Sequence, residues 1–377
     1  MIHSLSSKSY RLAIGFALFA MFFGSGNLIF PLSIGFYGEE HWVWGSVGFM
    51  ITGVLLPFLG IITMVSYEGD YTKFFRVLGE KGGFIFAFAL LTAWIPFGSG
   101  PRCVVLSFAN VENYLFDLPL WLYSLVYCVI VCIISYRKSA ALDILGYVLT
   151  PVLLLSLAAV IYLGIEASPG YSSGDMTASG AFWFALTEGY QTQDLIASFF
   201  FASAIIDIIS TNARKGDCPV KIAFGSSIVG ILLLGTVYTG LIALSASSGH
   251  LLNGLPKESL LATVVDTYLP AKFAFTGSLA VALACLTTSI ALTLVYADFL
   301  EKNFFDGKLS RGASILVTSV VVYLFSLTGF DVIAAVISPC MQVFYPCLIG
   351  LIVWNMVIKK FLLRGTSRIR QVAGKAD

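Results

Sequence analysis

Two short polar segments interrupt long apolar stretches of this chain and offer backbone atoms for binding. The first is the tetrapeptide Gly-Ser-Gly-Asn at positions 24–27, inside an apolar run over residues 12–36. These residue types lower helix propensity, so a helix is predicted to break there. Inside a membrane, such a break is tolerated only where it lines a cavity or holds a ligand. The alternative is that Gly24 and Gly26 merely allow close helix packing, but packing leaves Asn27 unexplained.

The second interruption lies at positions 188–194 and reads EGYQTQD, between the apolar stretches 182–186 and 195–206. Two acids within seven residues are costly in hydrocarbon, so the segment predicts a functional cavity. Asp194 is near the start of the following half-helix, where the helix dipole favours an ionised carboxylate. An acid in a cavity can also carry a proton, and proton coupling therefore stays open.

Broken membrane helices bind ions through their exposed ends. Backbone N–H groups at the start of the second half-helix attract an anionic group such as a carboxylate. Carbonyl groups freed at the end of the first half-helix attract a small cation. A pair of such breaks therefore favours a zwitterion together with a cation.

A third polar feature is a hydroxyl face around residues 284–288. Ala284, Thr287 and Thr288 are spaced i, i+3 and i+4, so one carbonyl and two hydroxyls share a helix face. Neutral oxygen ligands suit a hard monovalent cation. The alternative is that both threonines bond back to the preceding turn, as threonines in membrane helices commonly do.

The elements that hold these residues are membrane helices. Of the 377 residues, 58% are hydrophobic and only 11% are charged, against about 25% charged in soluble domains. This composition predicts an all-α integral membrane protein and gives no support for nucleic acid as a partner. The three histidines, His3, His41 and His250, fall in terminal or loop positions. No nucleophile–base or phosphate-loop pattern appears, so we expect a protein that is not an enzyme.

Apolar stretches of roughly 20 residues predict ten transmembrane helices. They cover residues 10–37, 43–66, 83–110, 119–136, 142–166, 180–210, 219–247, 271–299, 312–329 and 332–358. The interruptions fall in helices 1 and 6, which are five crossings apart, so the second half has the opposite orientation to the first. We therefore expect a single transporter domain of two inverted five-helix repeats, about 8–167 and 176–360, followed by a basic cytoplasmic tail at 361–377.

Basic residues separate onto one side of this ten-helix arrangement. That side carries Lys8, Arg11, Lys73, Arg76, Lys81, Arg137, Lys138, Arg214, Lys215, Lys221, Lys302, Lys308, Arg311, Lys359, Lys360, Arg364, Arg368, Arg370 and Lys375. The other side has only Lys257 and Lys272, and Arg102 falls within a helix. By the positive-inside rule, both termini are predicted to be cytoplasmic, in a multi-pass protein of the bacterial inner membrane.

The motif at residues 20–31, AMFFGSGNLIFP, resembles the bacterial branched-chain amino acid:cation symporter family, as do Glu188-Gly189-Tyr190 and Leu286-Thr287-Thr288. The resemblance covers most of the chain and implies the amino acid-polyamine-organocation superfamily, with a leucine-transporter-like fold. Family members are usually given twelve helices, whereas ten are predicted here. The implied partners are a branched-chain amino acid, a cation and membrane lipid, with no obligate protein partner.

The resemblance also implies a set of binding residues. Sodium, as a co-transported ion and not a resident cofactor, would bind Ala20, Phe23, Ala284, Thr287 and Thr288, and Asn27 would be a ligand of a second sodium. The substrate would contact Phe22, Gly24, Ser25, Gly26, Phe97, Thr187, Glu188, Gly189 and Tyr190. Within these sets, the N–H groups of Ser25 and Gly26 would bind the carboxylate. Carbonyls or the acid of residues 187–190 would bind the ammonium.

Arg102, in the third predicted helix, has two interpretations. Its side chain could snorkel toward the membrane surface, or it could pair with Glu188 as a gate or a structural brace. The leading function is a cation-coupled, sodium-dependent importer of leucine, isoleucine and valine. The alternatives are proton coupling, a transporter of another neutral amino acid such as methionine or alanine, and, from a different class, a channel or a lipid-modifying enzyme.

Overall fold

The computed structural model describes residues 7–114, 118–136, 141–168, 170–171, 175–203, 205–206, 219–303 and 310–373. Within these ranges the chain is all-helical and contains no strand. The basic residues Arg137, Lys138, Arg214, Lys215, Lys308 and Lys375, and positions 204 and 207–210 of the sixth predicted helix, lie outside the described residues.

Among the described residues, the first half of the chain contains nine α-helices. They are α1 (Ser7–Phe22), α2 (Ser25–Gly38), α3 (Trp42–Phe49), α4 (Leu56–Val65), α5 (Tyr71–Phe75), α6 (Glu80–Trp94), α7 (Gly100–Val111), α8 (Leu120–Tyr136) and α9 (Ala141–Ala167). A π-helical segment, Met50–Leu55, joins α3 to α4, and another, Ile95–Ser99, joins α6 to α7. These segments let each pair continue as one helical path.

The second half is also helical throughout the described residues. Its helices are α10 (Ala178–Glu188), α11 (Asp194–Phe200), α12 (Pro219–Ser247), α13 (Gly249–Leu252), α14 (Leu260–Tyr268), α15 (Ala271–Asn303), α16 (Arg311–Ser326) and α17 (Phe330–Ala373). Helix α17 continues into the residues expected as a basic tail, up to Ala373.

A side-chain hydrogen bond stabilises the interval between α1 and α2. Gly24 is extended, with φ −123° and ψ −164°, and its N–H donates to the Asn27 Oδ1 at 3.1 Å. Asn27 thus caps the start of α2 from three residues downstream, in place of a backbone carbonyl. The polar segment read from the sequence therefore separates two short helices.

The interval between α10 and α11 has a different construction. A 3-10 turn, Gly189–Thr192, follows α10, and Gln193 then adopts a left-handed conformation with φ 65°. A residue other than glycine in this conformation costs on the order of 1 kcal/mol or more. The Gln193 side chain is held by the Ser99 hydroxyl, which donates to its Oε1 at 2.6 Å.

The helices pack in an exchanged pattern. Helices α1 and α2 pack on α12, while α10 packs on α3 and α11 packs on α4. Helices α7 and α15 pack against each other, and so do α8 and α16. The helices on either side of each polar interval therefore contact helices of the other half of the chain, which brings the two polar intervals together.

The surface of the bundle is apolar. Among the described residues, five helical segments are long and apolar enough to cross a membrane: Ser25–Val65, Glu80–Tyr114, Val220–Ser247, Phe273–Asn303 and Phe330–Val357. Large apolar side chains such as Ile133, Leu155 and Phe224 lie exposed on the helices. Apolar surface of this extent suits contact with lipid.

Candidate functional site

A small cleft lies between the two polar intervals. It is nearly closed in this structure, with a cavity volume of only about 30 Å³, far below the ~300–1,000 Å³ typical of ligand pockets. It is lined by Met21, Phe22, Gly24, Ser25, Gly26, Asn27, Trp94, Ser99, Thr192, Asp194, Ala197, Phe201, Thr288 and Leu292. The cleft therefore draws on both intervals and on the helical paths of α6–α7 and α15.

The start of α2 forms the electropositive wall of the cleft. Ser25, Gly26 and Asn27 are the first residues of α2 and all are buried. The first N–H groups of a helix have no intrahelical acceptor, and the helix dipole adds a partial positive charge. This wall can bind an anionic group such as a carboxylate.

Asn27 connects the two intervals through its side chain. Its Nδ2 donates to the Asp194 Oδ2 at 2.6 Å and also to the Tyr238 hydroxyl of α12. Its Oδ1 accepts the Gly24 N–H. The amide thus satisfies both N–H donors and its oxygen while only 1% of its surface is exposed.

Asp194 forms the electronegative wall. The residue is 4% exposed, and no described lysine or arginine side chain lies within 4.0 Å of its carboxylate. A buried carboxylate is costly unless a cation, a proton or hydrogen bonds compensate it. The cleft therefore holds, together with the first residues of α2, an acid that has hydrogen-bond donors but no described lysine or arginine partner.

The backbones of the two intervals are in close contact. A Cβ atom at Gly26 would lie 3.0 Å from the Thr192 Cα and 3.3 Å from the Thr192 carbonyl oxygen. Such distances are tighter than ordinary van der Waals contacts. A side chain at position 26 would therefore need the backbone at Thr192 to shift by a few tenths of an ångström, so glycine suits this close approach.

The rest of the cleft is apolar. The aromatic rings of Phe22, Trp94 and Phe201 line it, with the side chain of Leu292. The Trp94 and Phe201 rings meet edge to face with centroids 5.7 Å apart. An apolar wall beside paired polar walls suits a small zwitterion with an aliphatic side chain.

The hydroxyl face of α15 is only partly at the cleft. The hydroxyls of Thr287 and Thr288 both donate to the Ala284 carbonyl, at 2.8 and 2.9 Å. Thr288 lines the cleft, and its Cγ2 lies 3.4 Å from a Cβ built on Gly24. The other expected cation ligands, Ala20, Phe23, Ala284 and Thr287, are not among the residues that line it.

Comparison with known proteins assigns the chain to a family. The family described as branched-chain amino acid transport protein matches residues 7–372. The chain belongs to this family. A branched-chain amino acid permease, BrnQ, of Bacillus subtilis (strain 168) is 31% identical over 367 residues, which cover 92% of this chain and 80% of the relative. The resemblance stated from the sequence motifs is confirmed.

Solved transporters share the fold. The inward-facing structure of Mhp1 matches with a TM-score of 0.65 at 16% identity, covering 92% of this chain and 76% of the other. MhsT in complex with L-phenylalanine matches with a TM-score of 0.61 at 15% identity, covering 90% and 87%. The chain therefore has the fold of leucine-transporter-like proteins. Because its family and its structural relatives are transporters, the expectation that it is not an enzyme is confirmed.

Several residues expected around the substrate lie away from the cleft. Thr187, Glu188, Gly189 and Tyr190 do not line it; instead, Tyr190 packs on the ring of Tyr345 with centroids 4.6 Å apart. The 3-10 turn is the reason, because it carries the chain onward before Thr192 and Asp194 reach the cleft. Phe97 also lies elsewhere, packed edge to face on Phe325 at 5.1 Å between centroids.

The expected pair of Arg102 and Glu188 is replaced by two other contacts. The Arg102 guanidinium donates to the Gln191 carbonyl at 2.8 Å and to its Oε1 at 3.2 Å. Glu188 Oε1 lies 3.6 Å from the Lys257 Nζ. The direct ion pair is therefore wrong for this structure. Arg102 does not snorkel either, since it is only 1% exposed.

Several lining residues were not predicted from the sequence. Ser99 and Trp94 lie at the ends of the π-helical segment Ile95–Ser99, and such segments often occur at functional sites. The only sequence signal for it is the Gly-Ser-Gly at positions 98–100. Phe201 and Leu292 have no distinguishing signal, because they come from apolar stretches in which every residue type is similar.

Proposed function

We propose that this protein is a sodium-coupled symporter that imports leucine, isoleucine and valine by alternating access. The observation that supports it most directly is the cleft between the two helix intervals. There the first N–H groups of α2, a buried carboxylate and an apolar face line one small cleft. Membership of the branched-chain amino acid transport family supports the substrate class.

The proposed architecture is ten transmembrane helices in two inverted five-helix repeats, with helices 1 and 6 broken. It rests on the exchanged packing, in which α1 and α2 contact α12 while α10 and α11 contact α3 and α4. Such an exchange follows naturally from two halves related by a pseudo-two-fold axis. We place the protein in the bacterial inner membrane with both termini in the cytoplasm, as the distribution of basic residues favours.

In the proposed mechanism, the amino acid enters the cleft with its carboxylate toward Ser25 and Gly26. The aliphatic side chain lies against Phe22, Trp94 and Phe201. Binding of both polar ends requires the two intervals to stay together, so the substrate stabilises an arrangement in which the broken helices move as a pair. The charges of the zwitterion then cross the membrane in contact with compensating protein groups.

The proposed sodium site uses the carbonyls of Ala20 and Phe23 with the oxygens of Ala284, Thr287 and Thr288. Each threonine hydroxyl donates its proton to the Ala284 carbonyl, and its lone pairs remain for a cation. Thr288 is beside Gly24, so a cation there would join α15 to the end of α1. Sodium would thereby strengthen the arrangement that binds the substrate.

Uptake of labelled leucine into proteoliposomes, under an imposed sodium or proton gradient, tests the function. We expect accumulation with a sodium gradient and competition by isoleucine and valine. Stimulation of uptake by a proton gradient alone would show that protons, and not sodium ions, are the coupled cation. Preferential competition by methionine or alanine would change the substrate, and failure of both gradients to drive any neutral amino acid would refute the coupling.

A matched pair of variants tests the sodium ligands. In Thr288→Val the hydroxyl beside Gly24 is removed while the side-chain shape is kept. We expect sodium activation of leucine uptake to require a much higher sodium concentration. The control is Thr236→Val, because the Thr236 hydroxyl makes the same kind of bond to the Leu232 carbonyl at 2.7 Å on an exposed face. Unchanged sodium activation in Thr288→Val would remove this residue from the site.

A further inference from the structure

We propose that Asp194 binds the α-ammonium group of the transported amino acid and so sets its specificity for amino acids over other carboxylic acids. This inference rests on the proposed function. It assigns the ammonium to an acid beyond the 3-10 turn, instead of to residues 187–190. Asp194 lines the cleft, whereas Glu188 does not and has Lys257 as its partner.

The burial of Asp194 calls for a positively charged ligand. The residue is 4% exposed, and no described lysine or arginine side chain reaches it. The groups near it are neutral: the Asn27 amide, the hydroxyls of Tyr238 and Tyr345, and the hydroxyl of Thr192. An ammonium group entering the cleft would supply the missing charge.

The position of Asp194 matches the shape of a zwitterion. In an α-amino acid the ammonium and the carboxylate are attached to the same carbon, so their binding groups must be neighbours. The Asn27 Nδ2 holds the Asp194 Oδ2 at 2.6 Å, and Asn27 directly follows the N–H groups of Ser25 and Gly26. The Thr192 carbonyl, which lies against Gly26, offers a second acceptor for the three N–H donors of an ammonium.

The orientation of Asn27 favours an ammonium over a metal ion shared by Asn27 and Asp194. A sodium ion between the two residues would need the amide oxygen of Asn27. That oxygen accepts the Gly24 N–H, and Asn27 presents its amide nitrogen to Asp194. The remaining capacity of the carboxylate is therefore suited to a further hydrogen-bond donor.

The experiment compares ligands that lack one charged group each. Equilibrium binding of labelled leucine to the purified full-length protein is displaced by unlabelled leucine, by 4-methylpentanoate, which lacks the ammonium, or by 3-methylbutylamine, which lacks the carboxylate. For Asp194→Asn we expect leucine affinity to fall about 100-fold. The affinity of 3-methylbutylamine should fall in parallel. The affinity of 4-methylpentanoate should stay within about threefold of its wild-type value, because this ligand has no ammonium group to contact the Asp194 carboxylate.

Controls separate the inference from the proposed function. Glu188→Gln neutralises an acid of the same helix pair outside the cleft and should preserve the wild-type ligand order. Asp194→Glu keeps the charge and should recover part of the leucine affinity, and it serves as the test if Asp194→Asn does not stay monodisperse. If wild-type protein does not bind leucine, the proposed function fails.

If wild-type protein binds leucine, three results would overturn the role of Asp194. The first is an unchanged leucine affinity in Asp194→Asn, and the second is an equal loss of affinity for all three ligands. The third is a leucine affinity that depends on sodium in wild type but not in Asp194→Asn. If 4-methylpentanoate displaces leucine from neither protein, 3-methylbutylamine decides the test. The proposal is overturned if this amine does not displace leucine from wild-type protein, or if it displaces leucine from Asp194→Asn as well as it does from wild type.

Discussion

Asn27 uses its whole side chain to hold the site together. Its oxygen accepts the Gly24 N–H, and its nitrogen donates to Asp194 and Tyr238. One residue thus fixes the conformation of the first interval and its distance from the second. A buried network of this kind is stabilising only when every member is satisfied, so removal of Asn27 should affect stability and binding together.

The variant Asn27→Leu tests this coupling because it keeps the volume and removes all three hydrogen bonds. We expect a loss of about 2–3 kcal/mol of stability, since a buried carboxylate loses its donor, and little remaining leucine uptake. Loss of stability is measured as thermal melting by size-exclusion chromatography. The control Asn113→Leu removes an exposed bond to Asp266 at 3.0 Å and should change stability by only about 0.5 kcal/mol. Equal melting temperatures for the two variants would contradict this role of Asn27.

Residue types with unusual conformational or polar properties could be predicted from the sequence. The glycines and Asn27 at positions 24–27 were predicted to be at the site, and they line the cleft. Positions 187–190 do not line the cleft, and the sequence contains no sign of the 3-10 turn there, which ends at a left-handed Gln193. Apolar lining residues depend on which face of a helix meets the cleft, and an apolar helix gives no such signal.

At the scale of whole helices, two close crossings depend on a glycine. A Cβ at Gly35 of α2 would lie 2.0 Å from the Ile242 carbonyl oxygen of α12, and a Cβ at Gly48 of α3 would lie 2.3 Å from the Phe182 carbonyl oxygen of α10. Close crossings through small residues are a common way for membrane helices to pack. The first crossing joins α2 to α12 and the second joins α3 to α10, so each holds a helix of one half of the chain against a helix of the other half.

The substitution Gly35→Ala should therefore separate α2 from α12. The added methyl group cannot fit without a backbone shift, and overpacking of this kind costs about 1–3 kcal/mol. We expect a lower melting temperature and reduced leucine uptake. Gly350→Ala is the matched control, since a Cβ there meets nothing within 4 Å and alanine favours a helix. A melting temperature for Gly35→Ala as high as that of the control would exclude the close crossing.

Arg102 fastens α7 to the turn that follows α10. Its guanidinium makes two hydrogen bonds to Gln191 and stacks near the ring of Phe330 of α17, 5.9 Å from its centroid. Lysine keeps the charge but lacks the planar fork, so Arg102→Lys should lower uptake by about tenfold. Arg76→Lys alters an exposed arginine, 3.6 Å from Glu80, and should leave uptake unchanged. Wild-type uptake in Arg102→Lys would show that the charge alone is sufficient.

At the scale of the whole molecule, helices of each half of the chain pack against helices of the other half. The sequence predicts opposite orientations for the two halves because five is an odd number of crossings, and this orientation stays a prediction. The contacts between halves could not be predicted, since they depend on crossings that only the folded chain defines. The second half also has a contact that the sequence did not indicate, between Glu188 of α10 and Lys257 of the segment before α14, with 3.6 Å between the charged atoms.

The Glu188–Lys257 contact lies on the side that the basic residues predict to be extracellular, and alternating access requires that side to open. In a cysteine-free background, Glu188→Cys with Lys257→Cys joined by a bifunctional methanethiosulfonate reagent should stop leucine uptake in proportion to the cross-linked fraction, and dithiothreitol should restore it. The control pair is Glu68→Cys with Lys73→Cys, whose native atoms are 2.7 Å apart within one connection. Cross-linking that pair should not affect uptake, because it ties together a segment that moves as a unit. Full uptake by the cross-linked Glu188→Cys, Lys257→Cys protein would mean that these segments do not separate during transport.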